Sequence, residues 1–476
     1  MPGTDDTGQD RRVFMRKTLD QDDTEAVALD PERVRALLAE EELAYDRRVP
    51  GSRELFARAK ASLFGGVPMP WMLTWPMPFP LYFDSASGAR LTDVDGNEYV
   101  DFCLGDSAAM GGHSPEAVAA AIAERSAKGM TAMLPTEDAI WVGEELSRRF
   151  GLDSWQFTLS ATDANRNAIR YARQITGREK VLIFNYAYHG TVDESLVMKV
   201  DGEIMARRPT IGSAGDPARL TKVVEFNDVE ALEAELAQGD VACVLTEPAL
   251  TNIGIVLPAR GFHDEVRRLA TKYGSLLVID ETHTMCAGPG GATRAYGIQP
   301  DLIVIGKWIA GGVPSGALGM TAEVARLAVE RGKGPIRGLS GVGSTVAGNA
   351  LCAAAMRAIL EHVLTEEAFV RMTALTDRWS AGVQAVISRA GLPWHVVQLG
   401  GRAEYRYLPS APVNGSEGAR IGDVNLDRYL HLACLNRGVL MTPFHSMALM
   451  SPAHTIADVD LHSSVFSELV DQLVAE

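Results

Sequence analysis

The stretch LLVIDETHTMCAGPGG, residues 276–291, decides how this chain is read. An apolar run ends abruptly in Asp280-Glu281, followed by Thr282, His283 and Thr284 and then a glycine cluster. A second stretch of the same build, DLIVIGKWIAGG (301–312), carries its apolar run to Lys307 and a glycine pair. Runs such as VLIF, ACVL, LLVI and LIVI are apolar at every position. That pattern belongs to strands buried on both faces, as in a mainly parallel sheet covered by helices. Ligands of such sheets bind outside the C-terminal strand ends, and that is where Asp280 and Lys307 fall. Taken singly, Asp280 fits an ordinary cap or turn acid, and Lys307 fits a solvated loop lysine. As a pair at the ends of consecutive buried strands they suit a pyridoxal phosphate site. The amine forms a Schiff base there, and the acid keeps the pyridine nitrogen protonated so that the ring draws electrons from the substrate carbon.

Working outward, such a site needs a phosphate cradle and a face for the ring. TLSATDANRNAIRYAR (158–173) runs from a strand through small residues into a helix, so the backbone N–H groups around Ser160, Ala161 and Thr162 can hold an anion. An N-cap serine accounts for the same residues without a ligand. NYAYHG (185–190) follows the strand VLIF and offers the ring of Tyr188, with His189 beside it. Helix–strand alternation begins near residue 115. Strands are expected at 156–159, 180–184, 242–246, 275–279, 302–305 and 316–320. Helices are expected at 115–128, 136–150, 163–176, 229–237, 261–273, 321–331 and 346–363. The last third reads as a separate α+β piece.

With these residues in hand, the chain resembles the class III (subgroup II) aminotransferases of fold type I, on the side nearest glutamate-1-semialdehyde aminomutase. The resemblance spans about residue 50 to the C-terminus. It rests on an ordered series: GGV (65–67), TDVDGNEYVDF (92–102), GHSP (112–115), SATDAN (160–165), YHG (188–190), EPALTNIG (247–254), VIDETHT, DLIVIGKWIAGG, GSTVAGNALCAAA (343–355) and SPAHTIADVD (451–460). It implies an α/β fold with a large domain built on a mainly parallel seven-stranded sheet, plus a smaller α+β domain drawn from both chain ends. The expected boundaries are 1–30 for a flexible acidic arm, 31–104 for the first part of the small domain, 105–345 for the large domain and 346–476 for the rest of the small domain.

The resemblance further implies pyridoxal 5'-phosphate as cofactor, Lys307 as its Schiff-base lysine and Asp280 as partner of the pyridine nitrogen. It stacks Tyr188 on the ring and places Ser160, Ala161 and Thr162 at the phosphate. It sets His189, Glu247 and Thr282 around the cofactor. Thr345 reaches the phosphate of a neighbouring subunit, hence a homodimer with shared sites, or a tetramer of such dimers. Three departures stand out. Ala161 and Asp163 replace a usual Gly and Glu, and Thr282 replaces a valine that packs under the ring. His283 is unusual for the family, and a surface or structural role is the expectation for it. Ser107, Ala108 and Ala109 are small where relatives often carry an aromatic, so a roomy substrate pocket bounded by Trp71 and Met72 is expected. Arg337 and Arg402 are carboxylate-binding candidates by residue type only.

The bulk composition excludes several alternatives. The 476 residues carry a net charge of −16, which disfavours nucleic-acid binding. Five cysteines without CxxC spacing suggest neither a disulfide framework nor a zinc site. No apolar run reaches the roughly 18 residues of a membrane span, and the acidic start lacks signal-peptide layout. A cytoplasmic enzyme with small-molecule amine and carbonyl substrates is the resulting expectation. It moves an amino group between an amine or amino acid and a ketone, keto acid or aldehyde in ping-pong fashion, with bulky amines accepted. The alternative is an intramolecular 2,1-aminomutase of the glutamate-1-semialdehyde type.

Overall fold

The computed structural model describes residues 29–207, 210, 212, 215–332, 341–420, 422–442 and 445–475. Its centre is a seven-stranded sheet. In chain order the strands are β1 (Ser154–Thr158), β2 (Lys180–Phe184), β3 (Thr221–Val224), β4 (Val241–Thr246), β5 (Leu276–Asp280), β6 (Leu302–Ile305) and β7 (Gly316–Met320). Across the sheet they lie in the order β1-β7-β6-β5-β4-β2-β3. Only β7 runs against its neighbours, pairing antiparallel with both β6 and β1.

Burial on both faces explains why the central strands β4, β5 and β6 are largely apolar. Leu277 and Ile279 of β5 face one way, among Val266 and Leu269 of the helix Phe262–Tyr273. Val278 faces the other way, with Ala164, Ala168 and Ala172 of the helix Ala161–Thr176. Asp280 continues the Leu276–Val278 face, so its carboxylate points toward the helix that begins at the proposed phosphate cradle.

β3 is the strand that pattern reading missed, along with the hairpin Val197–Val200/Glu203–Ala206 and the short strand Met447–Leu449. Its text, TKVV, carries a lysine. Lys222 is nevertheless buried, and its amine is held by Asp240 at 2.8 Å and Glu235 at 3.1 Å. A paired charge at a sheet edge defeats a reading based on hydrophobicity.

Both ends of the chain meet in smaller sheets. Phe83–Ser87, Arg90–Asp93 and Glu98–Asp101 form an antiparallel meander that Val439–Leu440 extends in parallel. His395–Leu399, Arg402–Arg406 and Met447–Leu449 form a three-stranded sheet backed by the helices Glu366–Arg389 and Ile456–Val474. The expected acidic arm falls almost wholly outside the described residues, and Arg337 does so entirely.

His462 packs among Phe102, Trp379 and Phe466 with neither ring nitrogen hydrogen-bonded. Burial pushes its pKa down to about 3. The unfolded chain takes up this proton below about pH 6.5 while the folded chain refuses it, so stability falls as pH drops from 6.5 toward 3. At pH 5 the loss is about 2 kcal/mol for this one residue. His462→Phe is expected to narrow the stability difference between pH 7 and pH 5 by about that amount, read from urea denaturation midpoints.

Candidate active site

Parallel pairing of β5 with β6 puts Val278 beside Leu302 and Asp280 beside Val304. Their C-terminal ends therefore open on one crevice, into which Lys307 projects two residues beyond β6. Gly306 makes the approach possible: a Cβ there would lie 2.6 Å from that of Ala161, at the first turn of the helix Ala161–Thr176. Ser160 caps this helix, its hydroxyl accepting from the Asp163 N–H at 3.2 Å. The first-turn N–H groups of Ala161 and Thr162 lack intrahelical acceptors. Gly190 (φ +75°) closes the cradle from the other side, where a Cβ would sit 2.1 Å from Thr162 Oγ1. The cavity has a volume of about 310 Å³, and Ser160, Ala161, Thr162, Tyr188, Asp280, Thr282 and Lys307 line it.

Asp280 is buried and receives three side-chain hydrogen bonds. Asn165 Nδ2 donates at 2.8 Å, the Thr282 hydroxyl at 2.6 Å, and His189 Nδ1 lies at 3.0 Å. Burial pushes the acid up, but the hydrogen bonds from His189, Thr282 and Asn165 outweigh it and hold its pKa below the usual value. His189 thus meets the acid and stands behind the cavity wall. Thr282, expected to imitate a valine through its methyl, uses its hydroxyl and its N–H to fix Asp280. Asn165 went unread, because an Asn five residues beyond a helix cap looks like any exposed helical polar group. Only its burial on the sheet-facing stripe identifies it.

Glu281 has a different task. Its carboxylate accepts from the Thr284 hydroxyl at 2.5 Å and from the Thr293 N–H. Gly291 (φ +61°) is needed because a Cβ would meet that carboxylate at 2.5 Å. The acid therefore pins the turn 284–293, and burial raises its pKa. Glu247, also buried and raised by burial, accepts from the Tyr188 N–H at 3.2 Å and the Thr251 hydroxyl at 2.5 Å. Tyr188 is held between this contact and Trp71, whose ring centroid is 5.6 Å from its own.

Two expectations are corrected here. His283 is neither a surface residue nor a merely structural one: it lines the cavity, and its Nε2 lies 2.9 Å from Lys307 Nζ. Arg402 is buried beneath the site, donating to the Thr251 carbonyl at 2.9 Å, and does not line the cavity. Of the small residues expected at the entrance, Ala108 lines the cavity. Ser107 is buried, with its hydroxyl on the Asp106 carbonyl. Half-exposed Trp71 stands over Tyr188, and Thr345 is exposed on this single chain, away from the cavity.

Residues 74–471 match the family model for aminotransferase class III. The chain belongs to the class III aminotransferase family. Glutamate-1-semialdehyde 2,1-aminomutase of Sorangium cellulosum is 34% identical over 422 residues, covering 87% of this chain and 94% of that protein. A crystal structure of a glutamate-1-semialdehyde-aminomutase from Pseudomonas aeruginosa PAO1 superposes with a TM-score of 0.92 at 46% identity, covering 94% of this chain and all of that one. A variant of that enzyme was solved in complex with PMP. An omega-transaminase from Sphaerobacter thermophilus matches with a TM-score of 0.82 at 28% identity, covering 89% of this chain and 97% of that one. The fold is that of the pyridoxal phosphate aminotransferases, and the cofactor is pyridoxal 5'-phosphate. The residues present fit it: an amine, a buried carboxylate, an aromatic ring and a helix N-terminus bound a single cavity, and Cβ atoms at Gly190 and Gly306 would collide with the cradle.

Lys307→Ala is expected to abolish the visible absorbance of the cofactor-loaded chain. Asp280→Asn should still bind cofactor but lose about a hundredfold or more in turnover. Thr282→Val removes one hydrogen bond to Asp280, at about 1 kcal/mol, and should lower turnover by severalfold with binding retained. Absorbance spectra and steady-state rates check all three.

Proposed function

We propose that this chain moves an amino group between adjacent carbons of one substrate, as a 2,1-aminomutase acting on glutamate 1-semialdehyde or a close analogue. The observation that carries the intramolecular reading is the 46% identity over 94% of the chain to the Pseudomonas aeruginosa aminomutase, against 28% to the omega-transaminase. The site supplies the chemistry common to both. Bound here, pyridoxal phosphate is an electron sink for the carbon that bears the amine.

Lys307 would act as general base and acid at the two carbons in turn, taking a proton from the one that gives up its amine and delivering one to the carbon that keeps it, with the nitrogen carried on the cofactor. Asp280, held by Asn165, His189 and Thr282, stays charged and keeps the pyridine nitrogen protonated. Ser160, Ala161 and Thr162 hold the phosphate at the helix N-terminus. Tyr188, fixed by Glu247 and Trp71, covers one ring face. Thr345 serves the site of a second copy in a homodimer. Exchange between an amine and a separate carbonyl compound is the second reading. The small Ala108 on the wall of a cavity of about 310 Å³ favours it.

Incubating the loaded chain with glutamate 1-semialdehyde separates them. The expected product carries the amine on C1 and a ketone on C2, formed without an added amine donor. Turnover that requires a donor and releases a free keto acid would replace the mutase reading with transamination.

A further inference from the structure

Asp106 has no part in the transfer chemistry above, yet it grips the reacting amine. Lys307 Nζ donates to the Asp106 carboxylate, and to the carbonyl oxygen of the same residue at 3.1 Å. The backbone that presents Asp106 is unusual. Leu104, Gly105, Asp106 and Ser107 have φ of 48°, 58°, 53° and 74°, four successive residues in the left-handed region. Three of them carry a Cβ and pay for that conformation. Lys307 itself has φ 49°.

Asp101 enforces the turn. Its Oδ1 accepts the N–H groups of Cys103 and Leu104 at 2.7 and 2.9 Å, and its Oδ2 lies 2.7 Å from His113 Nε2. Strain of this kind persists where the surroundings over-determine it, and it clusters at functional sites. Here it aims two oxygens of one residue at one amine. Burial pushes the Asp106 carboxyl up, but the charge of Lys307 and its hydrogen bond outweigh it and hold it well below the usual range. Burial and the charge of Lys307 push His283 down to about 3, so its ring is uncharged and offers Asp106 no counter-charge.

We propose that Asp106 sets the substrate class of this site, admitting amines whose amine-bearing carbon carries an uncharged or cationic neighbour and rejecting those with a carboxylate on that carbon. The inference rests on amino transfer at Lys307. The substrate nitrogen must occupy the place of Lys307 Nζ, and a group on the same carbon lies within about 2.5 Å of that nitrogen. A carboxylate there faces the Asp106 carboxylate with no cation between them, which is strongly disfavoured. A second amine gains a charge-assisted hydrogen bond instead. Glutamate 1-semialdehyde satisfies the rule, since its amine-bearing carbon adjoins an aldehyde. An ordinary α-amino acid does not.

The test uses 1,2-diaminopropane and alanine, which differ only in an aminomethyl group against a carboxylate on the amine-bearing carbon. The rate at which each bleaches the visible absorbance of the loaded chain gives its kcat/KM. Wild type is expected to prefer the diamine. Asp106→Asn should shift the ratio toward alanine by about tenfold or more, and Asp106→Glu should keep the wild-type preference. A second readout needs no turnover: in the cofactor-free chain, trinitrobenzenesulfonate labelling of Lys307, measured by peptide mass spectrometry against exposed Lys128, should run about threefold or more faster in Asp106→Asn, where the amine loses its charge-assisted hydrogen bond. An unchanged substrate ratio, or unchanged labelling, in Asp106→Asn overturns the proposal. A wild type that no amine bleaches refutes amino transfer instead, and the labelling then decides whether Asp106 governs the amine.

Discussion

The parallel pairing of β5 with β6 is the constraint on which the centre depends. Neighbouring parallel strands end at the same rim, so a residue closing one and a residue just past the other share a crevice without any further device. The alternation of side chains then decides which face each end group meets. A one-residue slip of β5 would turn Asp280 away from Asn165 and aim Ile279 at the helix Ala161–Thr176. Burial of Leu277 and Ile279 on one face and Val278 on the other resists that slip, so the apolar strand text is itself what aims the acid.

Around Lys307 the charges are arranged asymmetrically. Asp280 sits deep, satisfied by three hydrogen-bonding side chains, and is therefore tolerable as a buried anion. Asp106 sits on a strained turn, and its counter-charge in this state is the Lys307 amine. In the proposed reading the first anion serves the cofactor side of the reacting nitrogen and the second the substrate side. His283 is uncharged between Lys307 and the buried Arg402, whose positive charges both oppose its protonation. A neutral ring can accept from the amine without adding a second cation beside it.

How much of this was legible in the sequence follows from which signals are local. β2, β6 and β7 were readable to the residue, because short, mainly apolar runs bounded by turn residues are too brief for helices. Asp280 and Lys307 were readable as a pair, because strand ends define a rim. Thr221–Val224 was not, since Lys222 is buried by partners that lie 13 and 18 residues further on. Asp106 was hidden for another reason. LGDS looks like any polar turn, and nothing in its composition announces four left-handed residues, three of them non-glycine, anchored by Asp101. His283 was misjudged because its family-atypical identity was weighed without the position of Lys307, which only the tertiary structure supplies.

The strained turn and the pinned turn explain each other. Glu281 fixes residues 284–293, and Cys286 in that segment accepts the Gly401 N–H at 2.8 Å, tying the rim of the large sheet to the three-stranded sheet. His283 immediately precedes this anchored segment, and its carbonyl accepts from Cys286 Sγ at 3.5 Å. On the opposite side Asp101 belongs to the meander that Val439–Leu440 extends, and it clamps the turn carrying Asp106. The two groups that contact the Lys307 amine are therefore each backed by a sheet outside the large one. In the proposed reading the large sheet carries the cofactor residues, while the smaller sheets back the residues that set what may stand next to the reacting nitrogen. A change of substrate class can then arise at residues 104–107 or 283 without disturbing Asp280, Asn165 or the phosphate cradle.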